Sequence, residues 1–434
     1  MKPWLRYAVV FAFAATPAVA VDVTYEVGVR TDARGRTPVA GDRGTILTGD
    51  LELAPRAQLR LGIDASSFQL QYAPTLLWRE PTQPFLKEGS LLPLHRARLA
   101  FETRWPRGVF LIAEDAAYGE TYVGALRNPE GATEPVAELQ NAGMVSYLRS
   151  YSTVGIESRP SDRLTLGVSG GYQVSGSPEP VKVLPPDPAA GPDAPVVIVA
   201  PSLPFQYGPF LMANARVTVG RLDGLTTAAQ VSQAQFNTGA EQLVAQLREL
   251  WDRRLSRTVT LTLGAGAALT REDVVRTTLA RYPGRYLDVL PLAQAGLDWR
   301  DVLAGHPIRL DATLRMAPFS DRFTASVYER VELRGHGEWR FAKDWLTTAA
   351  AGGAIAVPVS LSILQPEGAP ASPQLGDRVL YAEGTVAWTV KTWLILQASA
   401  RVLWTEQPRT MMPGQVQAAG TVSVTVMQQD SLAW

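Results

Sequence analysis

The stretch "PIRLDATLRM" (residues 307–316) alternates strictly between apolar and polar side chains. Its apolar residues occupy the even positions, whereas its charged and hydroxyl residues occupy the odd positions. Side chains of a β-strand alternate between the two faces of a sheet, so an extended chain here has one apolar and one polar face. A strand of about 9–11 residues with this pattern is typical of the wall of a transmembrane β-barrel.

The same alternation recurs along the chain, in "SFQLQYAPTLLW" (67–78), "RTVTLTLGAG" (257–266) and "WLILQASARVLW" (393–404). We therefore predict an all-β fold, a transmembrane antiparallel up-and-down β-barrel with short periplasmic turns and long extracellular loops. Short and longer connections take turns, and counting them predicts about 18 strands, the first starting near Ile46, with 16 as the alternative. The longer connections are predicted to include residues 54–56 and 317–322.

The first residues, "MKPWLRYAVVFAFAATPAVA", combine two basic residues, a short apolar core and small residues before Val21. This is the pattern of a cleaved signal peptide, predicted here as residues 1–20, because a membrane anchor would need about 20 apolar residues. Residues 44–434 are assigned to the barrel. Residues 21–43 are either an N-terminal lead-in or the true first strand; in the second case, the connection around Pro55 is miscounted.

The composition excludes several classes of protein. Basic and acidic residues are equal in number, 41 each, so no polyanion such as a nucleic acid is expected as a partner. Cysteine is absent, so no disulfide framework stabilises the chain.

The polar faces of the predicted strands are expected to line a lumen. An 18-stranded barrel is wide enough for an aqueous channel, in which mixed charged and amide side chains are either hydrated or paired with one another. Salt-bridge networks that brace the wall are compatible with this interpretation. The predicted lumen-facing residues are Arg60, Gln69, Gln71, Arg96, Arg98, Glu102, Arg309, Asp311, Arg315, Arg330, Glu332, Arg334, Gln397 and Arg401.

Tryptophans cluster near the predicted short turns, whereas tyrosines cluster near the long loops. Such a distribution predicts aromatic girdles at the two membrane–water interfaces, although tryptophans packing the corners of a soluble β-sandwich are an alternative. The predicted girdle residues are Trp105, Trp251, Trp299, Trp339, Trp345, Trp388, Trp393 and Trp434. A charge placed at Leu310 or Leu261, both expected on the lipid side near mid-depth, is predicted to cost about 2–4 kcal/mol.

Four segments leave alternatives open. "EQLVAQLRELWDRRLS" (241–256) has the composition of a helix, but its alternation favours a strand. The proline-rich segments at 176–206 and 363–375 are predicted to be loops that either fold into the lumen as lids or stay exposed. Residues 416–426 are predicted to be the closing strand, although Gln428 and Asp430 break its apolar register before the terminal Trp434.

No catalytic or metal site is predicted. The three histidines, His95, His306 and His336, are far apart in sequence and show no metal-binding spacing. A serine paired with His95 or His336 is the alternative that would make the barrel a hydrolytic enzyme.

The strand "LQYAPTLLW" (70–78), the following "LLPLHRARLAFETRW" (91–105) and the hairpin "WDRRLSRTVTLTLGAG" (251–266) resemble those of Gram-negative outer-membrane β-barrels. The chain is most similar in character to the barrels of about 18 strands that act with polysaccharide-export proteins in exopolysaccharide secretion. The resemblance implies passive passage of a polysaccharide across the outer-membrane lipid, without a cofactor, and a periplasmic polysaccharide-export protein as partner. The alternatives are a general diffusion porin or small-solute channel, and an outer-membrane barrel enzyme or structural barrel.

Overall fold

The computed structural model describes most of the chain. The described residues are 21–36, 48–79, 91–122, 144–184, 197–199, 203–275, 283–321, 326–357, 359, 361–364, 378–407 and 412–433. Their regular elements are β-strands, and none of these residues forms a helix long and apolar enough to cross a membrane. The predicted signal peptide and Trp434 lie outside the described residues.

The strands follow one another in chain order. They are β1 (Val21–Arg36), β2 (Thr48–Ile63), β3 (Ser66–Tyr72), β4 (Thr75–Arg79), β5 (Leu91–Trp105), β6 (Gly108–Tyr122), β7 (Met144–Ser161), β8 (Leu164–Gly176), β9 (Lys182–Leu184), β10 (Val197–Val199), β11 (Gln206–Thr218), β12 (Asp223–Phe236), β13 (Glu241–Arg254), β14 (Val259–Val274), β15 (Gly284–Leu303), β16 (His306–Asp321), β17 (Ser326–Ala342), β18 (Trp345–Val357), β19 (Leu361–Leu364), β20 (Arg378–Lys391), β21 (Leu394–Gln407) and β22 (Met412–Ala433).

These strands form a closed antiparallel barrel of 18 strands, which confirms the predicted fold class. The barrel closes where β1 pairs with β22, for example at Val29 opposite Val426. Strands β3 and β4 are two parts of one wall strand, since both pair with β2 and β5. The break between them includes Pro74, which has no backbone N–H to donate to a neighbouring strand.

The start of the barrel differs from one prediction made from the sequence. Residues Val21–Arg36 form β1, and β2 begins at Thr48 rather than near Ile46. Pro55 lies inside β2, opposite Val29, so the connection predicted at 54–56 is wrong. A proline is accepted there because the apolar alternation continues through it and the neighbouring residues keep the pairing with β1. The predicted strand count is nevertheless right, because β1 was uncounted and β2 was divided in two.

The two ends of the barrel have connections of different lengths. At one end, called the short-turn end here, two residues join β15 to β16, and both Ala304 and Gly305 have positive φ angles of 53° and 81°. Two such residues match the twist of a tight hairpin. The opposite end, called the long-loop end, carries the connections that contain most of the residues outside the described ranges.

The structure settles two questions that the sequence left open, one about residues 241–256 and one about the closing strand. Residues Glu241–Arg254 form strand β13, as the alternation favoured. The closing strand β22 extends to Ala433, so Gln428 and Asp430 continue the strand rather than end it. The Tyr25 hydroxyl of β1 donates a hydrogen bond to the Asp430 carboxylate, with an oxygen–oxygen distance of 3.4 Å.

Large apolar side chains cover the outer face of the barrel, as Leu314 and Leu333 illustrate with 46% and 56% of their surface exposed. The outer face also carries two carboxylates that the sequence analysis did not single out. Glu114 lies opposite the apolar Leu99 and accepts hydrogen bonds from the hydroxyls of Ser150 and Ser152. Glu249, the second, accepts hydrogen bonds from Thr227. Hydroxyl donors offset part of the cost of holding a carboxylate on a largely apolar surface.

Candidate functional site: the barrel lumen

The inner face of the wall is the face opposite the exposed apolar side chains. On β16, for example, Leu310 and Leu314 point outward, so Arg309, Asp311 and Arg315 point inward. The same alternation puts every predicted lumen residue on the inner face, namely Arg60, Gln69, Gln71, Arg96, Arg98, Glu102, Arg309, Asp311, Arg315, Arg330, Glu332, Arg334, Gln397 and Arg401. Their contact with a solute stays a prediction.

The structure joins some of these residues into ion pairs near the short-turn end. Asp298, on the inner face of β15, binds two guanidinium groups, with nitrogen–oxygen distances of 2.7 Å to Arg300 and 2.7 Å to Arg309. Glu102 similarly pairs with Arg104 on β5. These pairs brace the wall, so this part of the inner face is stabilised by its own charges.

The seam between the first two strands is braced in the same way. The Arg30 guanidinium lies 2.9 Å from the Asp32 carboxylate and 3.5 Å from that of Glu52, while Arg56 lies 3.4 Å from Glu26. Arg30 and Arg56 therefore each connect to a carboxylate of the opposite strand, β2 or β1 respectively. The interpretation of inward charges as wall-bracing networks applies to these strands.

One histidine lies close to a carboxylate in the lumen. The Nδ1 atom of His336 is 3.2 Å from the Asp311 carboxylate, and the two residues are opposite one another on β17 and β16. His95, in contrast, is on the outer face, where its Nδ1 atom lies 2.7 Å from the Tyr72 hydroxyl. Within the described ranges, no group of histidine, aspartate and glutamate side chains is arranged to hold a metal ion.

The wall opens between β15 and β16 in the long-loop half of the barrel. Pairing between these strands runs from the short turn only as far as Ala293 opposite Met316. Beyond that point, the edge of β15 pairs with the short strand β19, which belongs to the connection after β18. The loop expected at 317–322 is therefore wrong in its first part, because β16 continues as a strand to Asp321.

The freed ends of β16 and β17 lie across the lumen side of the neighbouring wall. We call this segment, residues 317–321 and 326–329, the inward hairpin. Val327 belongs to the outward-facing set of β17, yet only 8% of its surface is exposed, because it packs in a cluster with the inward-facing Val244, Ala268, Leu290 and Leu292. The hydroxyl of Ser320 donates a hydrogen bond to Gln242 of β13. The hairpin therefore occupies lumen space and narrows the barrel from one side.

The inward hairpin also buries a carboxyl group. Glu329 alternates with outward-facing residues of β17, but only 1% of its surface is exposed. Neither of its carboxylate oxygens has a hydrogen-bond partner among the described residues. Burial of an unpaired carboxyl group is costly, so the apolar cluster around Val327 must hold the hairpin against that cost.

The proline-rich connection between β8 and β11 reaches into the lumen from another side. Its described end places Leu203 in a buried cluster with Leu94, Ala117 and Tyr147, which belong to the inner face of β5–β7. The backbone N–H of Ser177 donates to the Leu203 carbonyl at 3.1 Å. This end of the connection thus folds inward, as the lid alternative expected, whereas most of the second proline-rich segment lies outside the described residues.

The predicted girdle tryptophans that the structure describes lie near the short-turn end of the barrel. Trp345 and Trp388 lie opposite one another on adjacent strands with stacked rings whose centroids are 5.2 Å apart. The indole N–H of Trp251 donates to the Asp223 carboxylate at 3.1 Å, with Arg253 over the same ring. The assignment of these residues and of Trp105, Trp299, Trp339 and Trp393 to a membrane girdle stays a prediction.

The sequence analysis missed several functional candidates, of which Arg248 and the inward hairpin are the most important. Arg248 lies on the inner face of β13, and alternation with Leu247 and Leu243 was the available signal. The hairpin had only a weak signal, which is that Ser320 and Glu329 fall at positions that alternation turns toward lipid.

Fold and lumen together define a transmembrane β-barrel of the outer-membrane type with a polar, partly constricted interior. Residues 17–432 match the family model of the EpsX exopolysaccharide export family. The chain therefore belongs to the EpsX exopolysaccharide export family.

Solved structures with a similar fold include outer-membrane proteins of Pseudomonas. OpdL of Pseudomonas aeruginosa is 11% identical, with 94% of this chain and 99% of that chain covered and a TM-score of 0.45. OpdQ of the same organism is 9% identical, with 94% and 98% covered and a TM-score of 0.46. A BenF-like porin from Pseudomonas fluorescens Pf-5 is 12% identical, with 94% and 99% covered and a TM-score of 0.46. A search of curated proteins gives no match.

Proposed function

We propose that this chain forms the outer-membrane conduit through which an exopolysaccharide reaches the cell surface. The observation that carries the proposal is the combination of family membership with an inner face rich in arginine, glutamine and carboxylates around an 18-stranded barrel. Guanidinium groups bind carboxylates in a bidentate manner, and charged or amide groups also bond hydroxyls. Such a lining suits a hydrated, hydroxyl-rich polymer.

The proposal includes the other participants. The barrel is embedded in outer-membrane lipid, and a periplasmic polysaccharide-export protein delivers the polymer to its short-turn end. Passage is passive, so the chain uses no cofactor and binds no nucleic acid. We likewise propose that the chain is not an enzyme.

Deletion of the gene tests the proposed cargo. We expect the surface polysaccharide to disappear and to return when the gene is supplied on a plasmid. Polymer retained in the periplasm of the deletion strain distinguishes an export defect from a synthesis defect. Normal amounts of surface polymer in the deletion strain would contradict the proposal.

A small-solute channel is the second candidate, and the inward hairpin is the observation that favours it. A wall segment folded into the lumen limits the size of a passing solute, as a diffusion channel requires. The two candidates differ in the behaviour of the purified protein in planar bilayers. A diffusion channel gives a steady open conductance, whereas a conduit that opens for an arriving polymer gives little current alone and more with its periplasmic partner.

A further inference from the structure

A shallow polar recess, with room for about one water molecule, lies in the inner wall beside the inward hairpin, at the level where β15 and β16 separate. Its lining comes from β13, β14, β15 and β16. Two arginines, Arg248 and Arg315, and two carboxamides, Gln246 and Gln294, supply its polar atoms. The side chain of Leu250 lies over Gly264, at the place where a Cβ would stand, so the glycine makes room for Leu250.

The two guanidinium groups of the recess share the inner face with Glu332, which stands opposite Arg315 in the register of β16 and β17. Neither Arg248 nor Arg315 forms a salt bridge or hydrogen bond within the described part of the chain. Their positive charges repel one another, and Arg248 is partly buried. Arg309, on the same face of β16 as Arg315, is paired instead: its guanidinium nitrogen lies 2.7 Å from the Asp298 carboxylate.

The remaining polar groups at this place suit a sugar. Gln246 and Gln294 lie on the inner face of β13 and β15 beside the guanidinium groups, and carboxamides bond sugar hydroxyls. Leu292 takes no part in this contact, because only 7% of its surface is exposed and it packs under the inward hairpin. An anionic substituent on a sugar in the lumen would meet the two guanidinium groups.

We propose that the polar groups around this recess form a binding subsite on the lumen wall for an acidic sugar unit of the transported polymer. In this subsite, Arg248 and Arg315 bind the sugar carboxylate, and Gln246 and Gln294 bond its hydroxyls. The inference rests on the proposed function, because it names the chemical class of the polymer that passes. Its position beside the inward hairpin, which narrows the lumen, brings a passing polymer close to it.

Block of ion current by short oligosaccharides tests the subsite. The barrel is reconstituted in planar bilayers together with its periplasmic partner, and trigalacturonate and maltotriose, an acidic and a neutral trisaccharide, are added in turn. We expect trigalacturonate to block the parent at a concentration lower by about tenfold or more, as expected for charge-assisted hydrogen bonds to two arginines. The double variant Arg248→Gln, Arg315→Gln should lose this preference and keep the block by maltotriose.

Arg309→Gln is the matched control, because it removes an inward arginine of β16 that already has a partner. It should retain the preference for the acidic trisaccharide. The single variant Arg315→Gln, whose side chain is exposed and unpaired, keeps the test valid if the double variant fails to fold, and it should weaken the preference in part. Equal block of the parent by both trisaccharides, or an unchanged preference in a folded Arg315→Gln, would overturn the subsite.

The failure of the subsite is distinguishable from the failure of the proposed function. A deletion strain that still exports its polysaccharide rejects the conduit, whatever the block experiment shows. Export that depends on the gene, combined with equal block by acidic and neutral trisaccharides, rejects the subsite alone.

Discussion

The two halves of the wall formed by β15, β16 and β17 differ in strand pairing and in the pairing of their inward-facing charges. In the short-turn half, the three strands pair continuously, and Asp298 holds Arg300 and Arg309 while Asp311 contacts His336. In the long-loop half, β15 leaves β16, pairs with β19 and faces the inward hairpin. Here Arg315 forms no salt bridge among the described residues, although Glu332 stands opposite it, and the buried carboxyl group of Glu329 has no hydrogen-bond partner among them.

This difference indicates that the two ends of the same strands have different roles. Paired charges and continuous hydrogen bonding make the short-turn half a rigid cylinder. The long-loop half gives up pairing between β15 and β16, and the apolar cluster of Val244, Ala268, Leu290, Leu292 and Val327 replaces it. The strands thus combine a mechanical wall at one end with a constriction and an anion-binding surface at the other.

The largest expected effect comes from weakening the apolar cluster that holds the inward hairpin. Leu290→Ala truncates a side chain with 2% of its surface exposed, and large-to-small substitutions of this kind cost about 2–5 kcal/mol. We expect the hairpin to leave the lumen, with a lower free energy of unfolding in urea and a larger single-channel conductance.

The matched control is Leu297→Ala on the same strand. Leu297 faces outward with 45% of its surface exposed, so its truncation should change stability much less and leave conductance at the parental level. Unchanged conductance in a folded Leu290→Ala barrel would mean that the cluster does not hold a constriction.

The second-largest effect depends on how deep in the membrane a charge is placed along the outer face of β16. The structure pairs Leu310 with Trp299 near the short-turn end, whereas Leu314 lies four residues deeper, opposite Ala295. The cost of a lipid-facing charge falls from about 2–4 kcal/mol at mid-depth to about 0–1 kcal/mol at the interface. We therefore expect Leu314→Arg to be the costly variant and Leu310→Arg the mild one, a revision of the value predicted from the sequence for Leu310.

Equilibrium unfolding in lipid vesicles measures both variants. Thr313→Arg, an inward position between them, serves as the control and should fold with a free energy close to that of the parent. Equal costs for Leu310→Arg and Leu314→Arg would place the membrane boundary elsewhere on β16.

The smallest effect is expected from the paired charges of the short-turn half. Asp298→Asn removes the carboxylate that binds Arg300 and Arg309, both of which remain largely solvated. Exposed ion pairs contribute little to stability, so the free energy of unfolding should hardly change. The freed positive charges should instead shift the reversal potential in a salt gradient toward anion selectivity, and an unshifted potential would mean that ions do not pass near Asp298.

The wall was predictable from the sequence because one physical rule governs it. A strand between lipid and water must alternate, so segments such as residues 307–316 reveal both their structure and their inner face. The connection at Pro55 was misplaced because proline also occurs inside wall strands, and the strand count survived because the uncounted β1 offset the division of β2. The strand preference for residues 241–256 was right because the alternation of Leu243, Ala245, Leu247 and Trp251 was a better guide than the helical composition, even though Glu249 interrupts it.

The constriction was not predicted, because alternation shows which side chains share a face but not that a strand leaves the wall. By alternation, Val327 and Glu329 belong to the set that would face lipid, and the three-dimensional structure shows that this set packs on the lumen side of β13–β15. The carboxyl group of Glu329 at such a position was an available signal. Arg248 and Arg315 are likewise 67 positions apart in sequence and become neighbours only through the barrel.

The position of the inward hairpin is the central structural claim, and a chemical cross-link tests it most directly. The chain has no cysteine, so paired substitutions report only on the chosen positions. Gln242→Cys combined with Ser320→Cys replaces two residues that share a hydrogen bond across the lumen side of the wall. Leu243→Cys with Ser320→Cys is the control pair, because Leu243 belongs to the outward-facing set of β13. The account predicts rapid cross-linking of the first pair by a short bis-maleimide in intact outer membranes, and none of the second. Absence of cross-linking in the first pair, with both cysteines reactive individually, would contradict the inward hairpin and the constriction built on it.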